Sequence, residues 1–110
     1  MIRPSSLPLM FAGLMAGAVS PAVADLVVLQ YHHVSDSTPP STSTTVSLFE
    51  DQLDMIGELG LEVVPLESGT RQALAGELDT KQQIAITFDD AYDSVYHTAA
   101  PLLAEKGFPY

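Results

Sequence analysis

Two short apolar runs, residues 26–31 and 84–88, are the feature of this sequence that most restricts its fold. Both contain β-branched residues, and neither alternates strictly between apolar and polar positions. Continuous apolar runs of this length are typical of strands that are buried on both faces of a parallel sheet. A third strand is predicted within residues 61–66, in a run that ends near Pro65.

Helical patterns separate the predicted strands. The first helix is predicted to begin at Ser47, whose side chain forms a capping box with Glu50, and to stop at Gly60. A second helix is predicted over residues 70–78. A third helix is predicted over residues 92–106.

The third predicted helix contains Pro101 and is followed by Gly107. Proline lacks an amide hydrogen, so we expect Pro101 to bend this helix or to begin a fresh turn. Strands that alternate with helices are the pattern of an α/β domain with a parallel sheet. The sequence therefore predicts an α/β fold of about three β/α units.

Residues 1–24 have the three parts of a secretory signal peptide. A positive charge at Arg3 precedes a largely apolar stretch over residues 7–19, and an Ala-x-Ala pattern ends at Ala24, after which we expect cleavage. A membrane anchor is the alternative, but the stretch contains Pro8 and is shorter than the about 20 apolar residues that span a bilayer. We therefore expect an exported protein, periplasmic or secreted, with no membrane insertion after cleavage.

The charge and the cysteine content exclude several kinds of partner. The net charge of −10 opposes binding to nucleic acid and to anionic membrane surfaces. The chain has no cysteine, which excludes disulfides, thiolate metal sites and lipid attachment through cysteine.

Two adjacent carboxylates, Asp89 and Asp90, follow the apolar run 84–88. The carboxyl ends of parallel strands form the active face of α/β folds. Neighbouring carboxylates repel each other unless a cation or a proton intervenes. One possible arrangement is that one carboxylate binds a metal ion while the other acts as a base on the metal-bound water. The alternative is that Asp90 caps the following helix and Asp89 is solvated.

Histidines follow the first predicted strand. If the strands are parallel, His32 and His33 lie on the same face of the sheet as the paired aspartates. The alternative for each is a loop histidine that hydrogen-bonds to the backbone. His97 lies within the third predicted helix, where we expect it on the helix surface.

Residues 84–96, followed by 100–103 and 107–109, resemble the first motif of the polysaccharide deacetylases, also called NodB-homology enzymes or carbohydrate esterase family four. Residues 31–34 and 49–66 resemble the branch that deacetylates poly-N-acetylglucosamine. The resemblance covers essentially all of the predicted mature chain. It implies the N-terminal part of a distorted (β/α) barrel of the NodB-homology type.

Carried over residue by residue, the resemblance implies that Asp89 is the catalytic base and that Asp90 is a ligand of a divalent metal, most commonly zinc. It also implies that His32 lies close to the active site, on the acid side of the reaction. Ala91 stands where the family commonly has glycine, which would matter if the backbone there has a positive φ.

The family's His-x-x-x-His motif, which supplies two further metal ligands, has no counterpart in the 110 residues. A zinc site normally needs three protein ligands and a water. We therefore expect residues 25–110 to be the N-terminal portion of a polysaccharide deacetylase domain, truncated before this motif and inactive alone. The implied activity is metal-dependent hydrolytic de-N-acetylation of an exported polysaccharide such as poly-N-acetylglucosamine.

Two other classes of protein remain open. One is a non-catalytic carbohydrate-binding accessory protein or a pseudogene product. The other is a phosphoryl-acceptor domain, because paired acidic residues at a strand end also bind magnesium.

Overall fold

The computed structural model describes residues 25–78 and 82–110, so the predicted signal peptide, residues 1–24, lies outside the described residues. The strands and helices follow in the order β1 (Leu26–Tyr31), β2 (His33–Val34), β3 (Ser43–Thr44), α1 (Val46–Glu58), β4 (Glu62–Val63), α2 (Leu66–Ala75), β5 (Gln83–Phe88) and α3 (Ala100–Lys106). A 3-10 helix, Pro40–Thr42, precedes β3, and a π-helical turn, Val95–Ala99, leads into α3. No helix in these two ranges has the length and apolarity to cross a bilayer.

β1, β5 and β4 form a parallel sheet in which β5 is central. β1 and β5 pair along their whole length, from Leu26 opposite Gln83 to Tyr31 opposite Phe88. The predicted α/β class with a parallel sheet is confirmed. β4 is shorter than the predicted 61–66, because Pro65 has no amide hydrogen for the sheet ladder and instead lies at the N-cap of α2. The barrel implied by the resemblance stays a prediction.

The core lies between one face of this sheet and the helices α1 and α3. Its largest fully buried side chains are Phe49, Leu53, Ile86, Leu103 and Val34. The Phe49 ring meets the Tyr31 ring edge to face, with centroids 5.1 Å apart. The Tyr31 hydroxyl donates to Oε1 of Gln52 at 2.6 Å. Burial raises the pKa of Tyr31, which keeps its hydroxyl protonated as the donor in this bond.

α2 covers the opposite face of the sheet. Gly69 of α2 is buried, and a Cβ at this position would lie 2.8 Å from Cγ2 of Val64 and 3.3 Å from Cδ1 of Leu26. The glycine therefore allows the helix to approach the strands closely.

Burial differs between the two long strands. Residues 83–86 of β5 are buried, which confirms the predicted burial on both faces for this strand. For β1 that prediction is wrong, since Val27 and Val28 are 44% and 46% exposed. β1 pairs with β5 alone in the described sheet, so one of its sides lies at the sheet edge.

The start of α1 differs from the predicted one. Thr45 has extended backbone dihedrals and its side chain accepts from the amide of Leu48 at 3.3 Å, so Thr45 is the N-cap. The capping box predicted at Ser47 and Glu50 is therefore wrong, because both residues already lie inside the helix. Gly60, with φ of 65°, follows the helix as the sequence predicted.

The second and third predicted helices are both present, but their first and last residues differ from those predicted. α2 occupies Leu66–Ala75 instead of the predicted 70–78, because Gly76 adopts φ of 68° and ends it. The third helix is confirmed, but it is π-helical over Val95–Ala99 and α-helical over Ala100–Lys106. Pro101 lies just after this change, and the backbone of Ala99 and Ala100 is helical, so the structure shows no separate helix that starts at Pro101. Gly107, with φ of 67°, ends α3 as predicted.

Candidate functional site

The carboxyl ends of β1 and β5 lie side by side because the two strands are parallel and paired in register. His32 follows β1, and Asp89 and Asp90 follow β5. The amide of Asp89 donates to the carbonyl oxygen of Tyr31 at 2.8 Å, which extends the ladder by one bond. This bond fixes the first aspartate against the end of β1.

The structure brings three of the sequence-predicted side chains together at this edge. Nε2 of His32 lies 3.8 Å from Oδ2 of Asp89 and 4.0 Å from Oδ2 of Asp90. The three side chains are 36%, 43% and 58% exposed respectively, so a ligand from solvent can reach them. The cluster can therefore exchange protons with a bound molecule or contribute ligands to a cation.

A fourth residue, Gln30, belongs to the cluster and was not predicted from the sequence. Its side-chain amide donates to Oδ2 of Asp89. The available signal was its polarity, since Gln30 interrupts the apolar run of β1 two residues before His32. The amide holds one oxygen of the Asp89 carboxylate in a fixed position.

The turn after β5 has an unusual backbone. Asp90 and Ala91 both have positive φ, at 69° and 47°, in the left-handed region that favours glycine. Each non-glycine residue in this region costs about 1–2 kcal/mol. Strain of this kind is typical of functional sites, where the surrounding structure enforces it.

We expect Ala91→Gly to raise the free energy of unfolding by up to about 1 kcal/mol. Glycine removes the Cβ strain of about 1–2 kcal/mol, which exceeds the extra chain entropy of about 0.5–1 kcal/mol that glycine loses on folding. Urea unfolding measures the difference. Ala73→Gly is the matched control, because Ala73 lies within α2 and its replacement should lower the same free energy by about 1 kcal/mol. Equal losses in both variants would contradict the strained turn.

The other two histidines make different contacts. The His33 ring stacks on the Tyr92 ring, with centroids 3.6 Å apart and planes 22° apart. The amide of Val34 donates to Oγ of Ser94 at 3.0 Å. These two contacts hold β2 against residues 92–94, which follow the strained turn. His97 is exposed in the π-helical turn, as the sequence predicted.

The described residues do not form a metal site on their own. Within residues 25–78 and 82–110, no three or more histidine, cysteine, aspartate or glutamate side chains are grouped so that they could hold a metal ion. Asp90 offers an exposed carboxylate, and Nε2 of His32 lies 4.0 Å from it. Because a zinc site normally has three protein ligands, a divalent ion here needs ligands from outside the described residues.

An open cavity of about 580 Å³ borders the strained turn. Its lining is largely apolar and includes Phe88, Ala91, Val95 and Tyr110. The Phe88 and Tyr110 rings meet edge to face, with centroids 5.7 Å apart. The cavity therefore reaches Ala91 of the turn that carries Asp90, while the two aspartates do not line it.

Comparison with known proteins finds similarity to a solved structure. No protein-family model matches the chain, and no curated protein matches it significantly. The structure is similar to that of IcaB from Ammonifex degensii, with a TM-score of 0.69 and 32% sequence identity. The match covers 77% of this chain and 36% of the IcaB chain, so this chain spans little more than a third of IcaB. The matched part has the fold of the corresponding part of that protein.

Proposed function

We propose that this chain supplies the catalytic base and one metal ligand of a metal-dependent polysaccharide deacetylase. The observation that carries the proposal is the meeting of His32, Asp89 and Asp90 within 4.0 Å at the ends of two parallel strands. The similarity to IcaB and the motif around Asp89 both support a deacetylase-like function. The proposed substrate is an exported N-acetylated polysaccharide such as poly-N-acetylglucosamine, in the periplasm or outside the cell.

In the proposed reaction, Asp89 is the general base. Gln30 holds its Oδ2, so Oδ1 takes a proton from the water that attacks the acetamide carbonyl carbon. Attack gives a tetrahedral intermediate, and cleavage of its carbon–nitrogen bond releases acetate and leaves an amine on the sugar. His32, beside both aspartates, is placed to deliver the proton that the departing nitrogen needs.

Asp90 is proposed as one ligand of a divalent metal, zinc by the family resemblance, with the other ligands from outside the described residues. When bound, such an ion polarises the carbonyl group and acidifies water. We expect the 110-residue chain alone to bind zinc weakly and to release no acetate, because one carboxylate is a poor substitute for three protein ligands.

A hybrid protein tests the proposal, since IcaB extends well beyond the matched segment. In this hybrid, residues 25–110 of the chain replace the matching segment of IcaB. We expect it to release acetate from soluble poly-N-acetylglucosamine oligomers, to lose this activity with EDTA and to regain it with zinc. IcaB is the positive control and the 110-residue chain the negative one. A hybrid that unfolds cooperatively yet shows no chelator-sensitive acetate release would contradict the proposal.

A non-catalytic carbohydrate-binding protein is the second candidate. The apolar cavity beside the site favours it, because the Phe88 and Tyr110 rings border a space large enough for a sugar. In the same assay, this candidate predicts a hybrid that binds the oligomers without releasing acetate.

A further inference from the structure

Two separate stretches of the chain carry the side chains of the candidate site. Residues 31–34 carry His32, and residues 89–94 carry Asp89 and Asp90. The proposed reaction needs His32 at a fixed distance from both aspartates, because proton transfer requires hydrogen-bond reach. The contacts that hold the two stretches together therefore control the geometry of the site.

The strained turn at residues 90–91 is attached to the first stretch on both of its sides. On the amino side, the amide of Asp89 donates to the carbonyl oxygen of Tyr31 at 2.8 Å. On the carboxyl side, the Tyr92 ring stacks on the His33 ring, with centroids 3.6 Å apart and planes 22° apart. A strained backbone persists only where its surroundings enforce it, and these two attachments supply such a restraint.

The backbone that carries the His33 ring is itself held in place. In the parallel pair of β2 and β3, His33 lies opposite Ser43 and Val34 lies opposite Thr44. The amide of Val34 donates to Oγ of Ser94 at 3.0 Å. The ring therefore stacks from a backbone whose position is fixed by its neighbours.

The two adjacent histidines make different contacts. Nε2 of His32 lies within 4.0 Å of both aspartates, whereas the His33 ring contacts the ring of Tyr92. Stacking of this kind depends on two flat aromatic faces and does not need an imidazole nitrogen. Phenylalanine at either position can therefore keep the contact, and leucine cannot.

We propose that His33 and Tyr92 are positioning residues, whose ring stack holds residues 89–92 against residues 31–34 and so sets the distance from His32 to the two aspartates. The inference rests on the proposed deacetylase function. In that mechanism the stack touches no reacting atom, so its loss should slow the catalytic step and leave substrate binding nearly unchanged. A misplacement of about 1 Å at a catalytic group can lower the rate about 10²-fold.

Steady-state kinetics of the hybrid protein test the stack. His33→Leu and Tyr92→Leu are each expected to lower kcat about 10–100-fold, with KM changed by less than about threefold. His33→Phe and Tyr92→Phe keep an aromatic face and should retain kcat within about threefold. The double leucine variant should lose about as much kcat as either single variant, because both changes remove the same contact.

Tyr96 and His97 provide a matched control pair. Both are exposed in the π-helical turn, and their rings meet edge to face at 87°. Tyr96→Leu and His97→Leu make the same chemical changes outside the two stretches. They should leave kcat within about twofold.

Amide hydrogen exchange of the same hybrid gives a readout that does not require activity. Both single leucine variants should increase the exchange rate of the Asp89 amide about tenfold, because its bond to Tyr31 opens more often. The Val64 amide, which donates to the carbonyl oxygen of Ile84 at 2.9 Å on the other side of β5, should keep its exchange rate.

Two results would overturn the positioning role. One is an Asp89 amide that exchanges equally fast in the unmodified hybrid and in both leucine variants. The other is a loss of kcat in His33→Phe as large as that in His33→Leu, which would make the imidazole itself the essential group. Should Tyr92→Leu fail to fold, His33→Leu decides the question. A hybrid that releases no acetate but shows the expected exchange differences would reject the deacetylase function and support the restraint.

Discussion

Asp89→Asn is expected to lower kcat for acetate release by the hybrid protein about 10²–10⁴-fold, the contribution typical of a general base. Asparagine keeps the size of the side chain and an oxygen that can accept from Gln30. It cannot take a proton from the attacking water. The expected change is therefore in kcat, with KM and the unfolding transition nearly unchanged. Initial rates of acetate release over a range of oligomer concentrations measure both constants.

Asp93→Asn is the matched control for this prediction. Asp93 is an exposed carboxylate four residues further along the same segment, and it has no contact with His32 or Gln30 among those the structure shows. Its replacement should leave kcat within about twofold, as for most surface changes away from a site. Similar kcat values for the two variants would remove Asp89 from the role of base.

The largest expected effect on stability is that of Phe49→Ala. Phe49 is fully buried and its ring contacts both Tyr31 and Phe88. Deleting a buried phenylalanine ring costs about 3–5 kcal/mol, because the transfer energy is lost and a cavity remains. Whole domains are stable by only about 5–15 kcal/mol, so this loss is a large share of the total. The measurement is the free energy of unfolding in urea.

Two further variants make that result interpretable. Leu48→Ala, at the neighbouring position on α1, removes a side chain that is 48% exposed and should cost less than about 1 kcal/mol. Phe49→Leu keeps most of the buried volume and should cost less than Phe49→Ala, so it remains measurable if the alanine variant does not fold. Equal losses for Leu48→Ala and Phe49→Ala would place the core elsewhere.

The fold was predictable where a local pattern and the tertiary packing agree. β5 reads as a buried strand and is buried, since it has a paired strand on each side and helices on both faces. β1 is similarly apolar but lies at the edge of the described sheet, and its two valines are 44% and 46% exposed. The order of strands within a sheet depends on contacts distant in sequence, and local periodicity carries no information about it. The start of α1 was predicted wrongly for a related reason. Thr45 and Ser47 are both residue types that cap helices well, and the extended backbone at Thr45 makes it the N-cap.

The candidate site, like the fold, was predictable in part. His32, Asp89 and Asp90 could be grouped from sequence because parallel strands bring their carboxyl ends to one edge. Gln30 could not, since a single polar residue in a strand does not reveal which neighbour its side chain reaches.

In the proposed reaction the two neighbouring aspartates have separate tasks, and the zinc content of the hybrid protein after exhaustive dialysis distinguishes them. Asp89→Asn is expected to retain zinc near the level of the unmodified hybrid while it loses acetate release. Asp90→Asn is expected to lose both, because a metal ligand is removed. Equal zinc contents in the two variants, or loss of zinc in Asp89→Asn alone, would contradict this division.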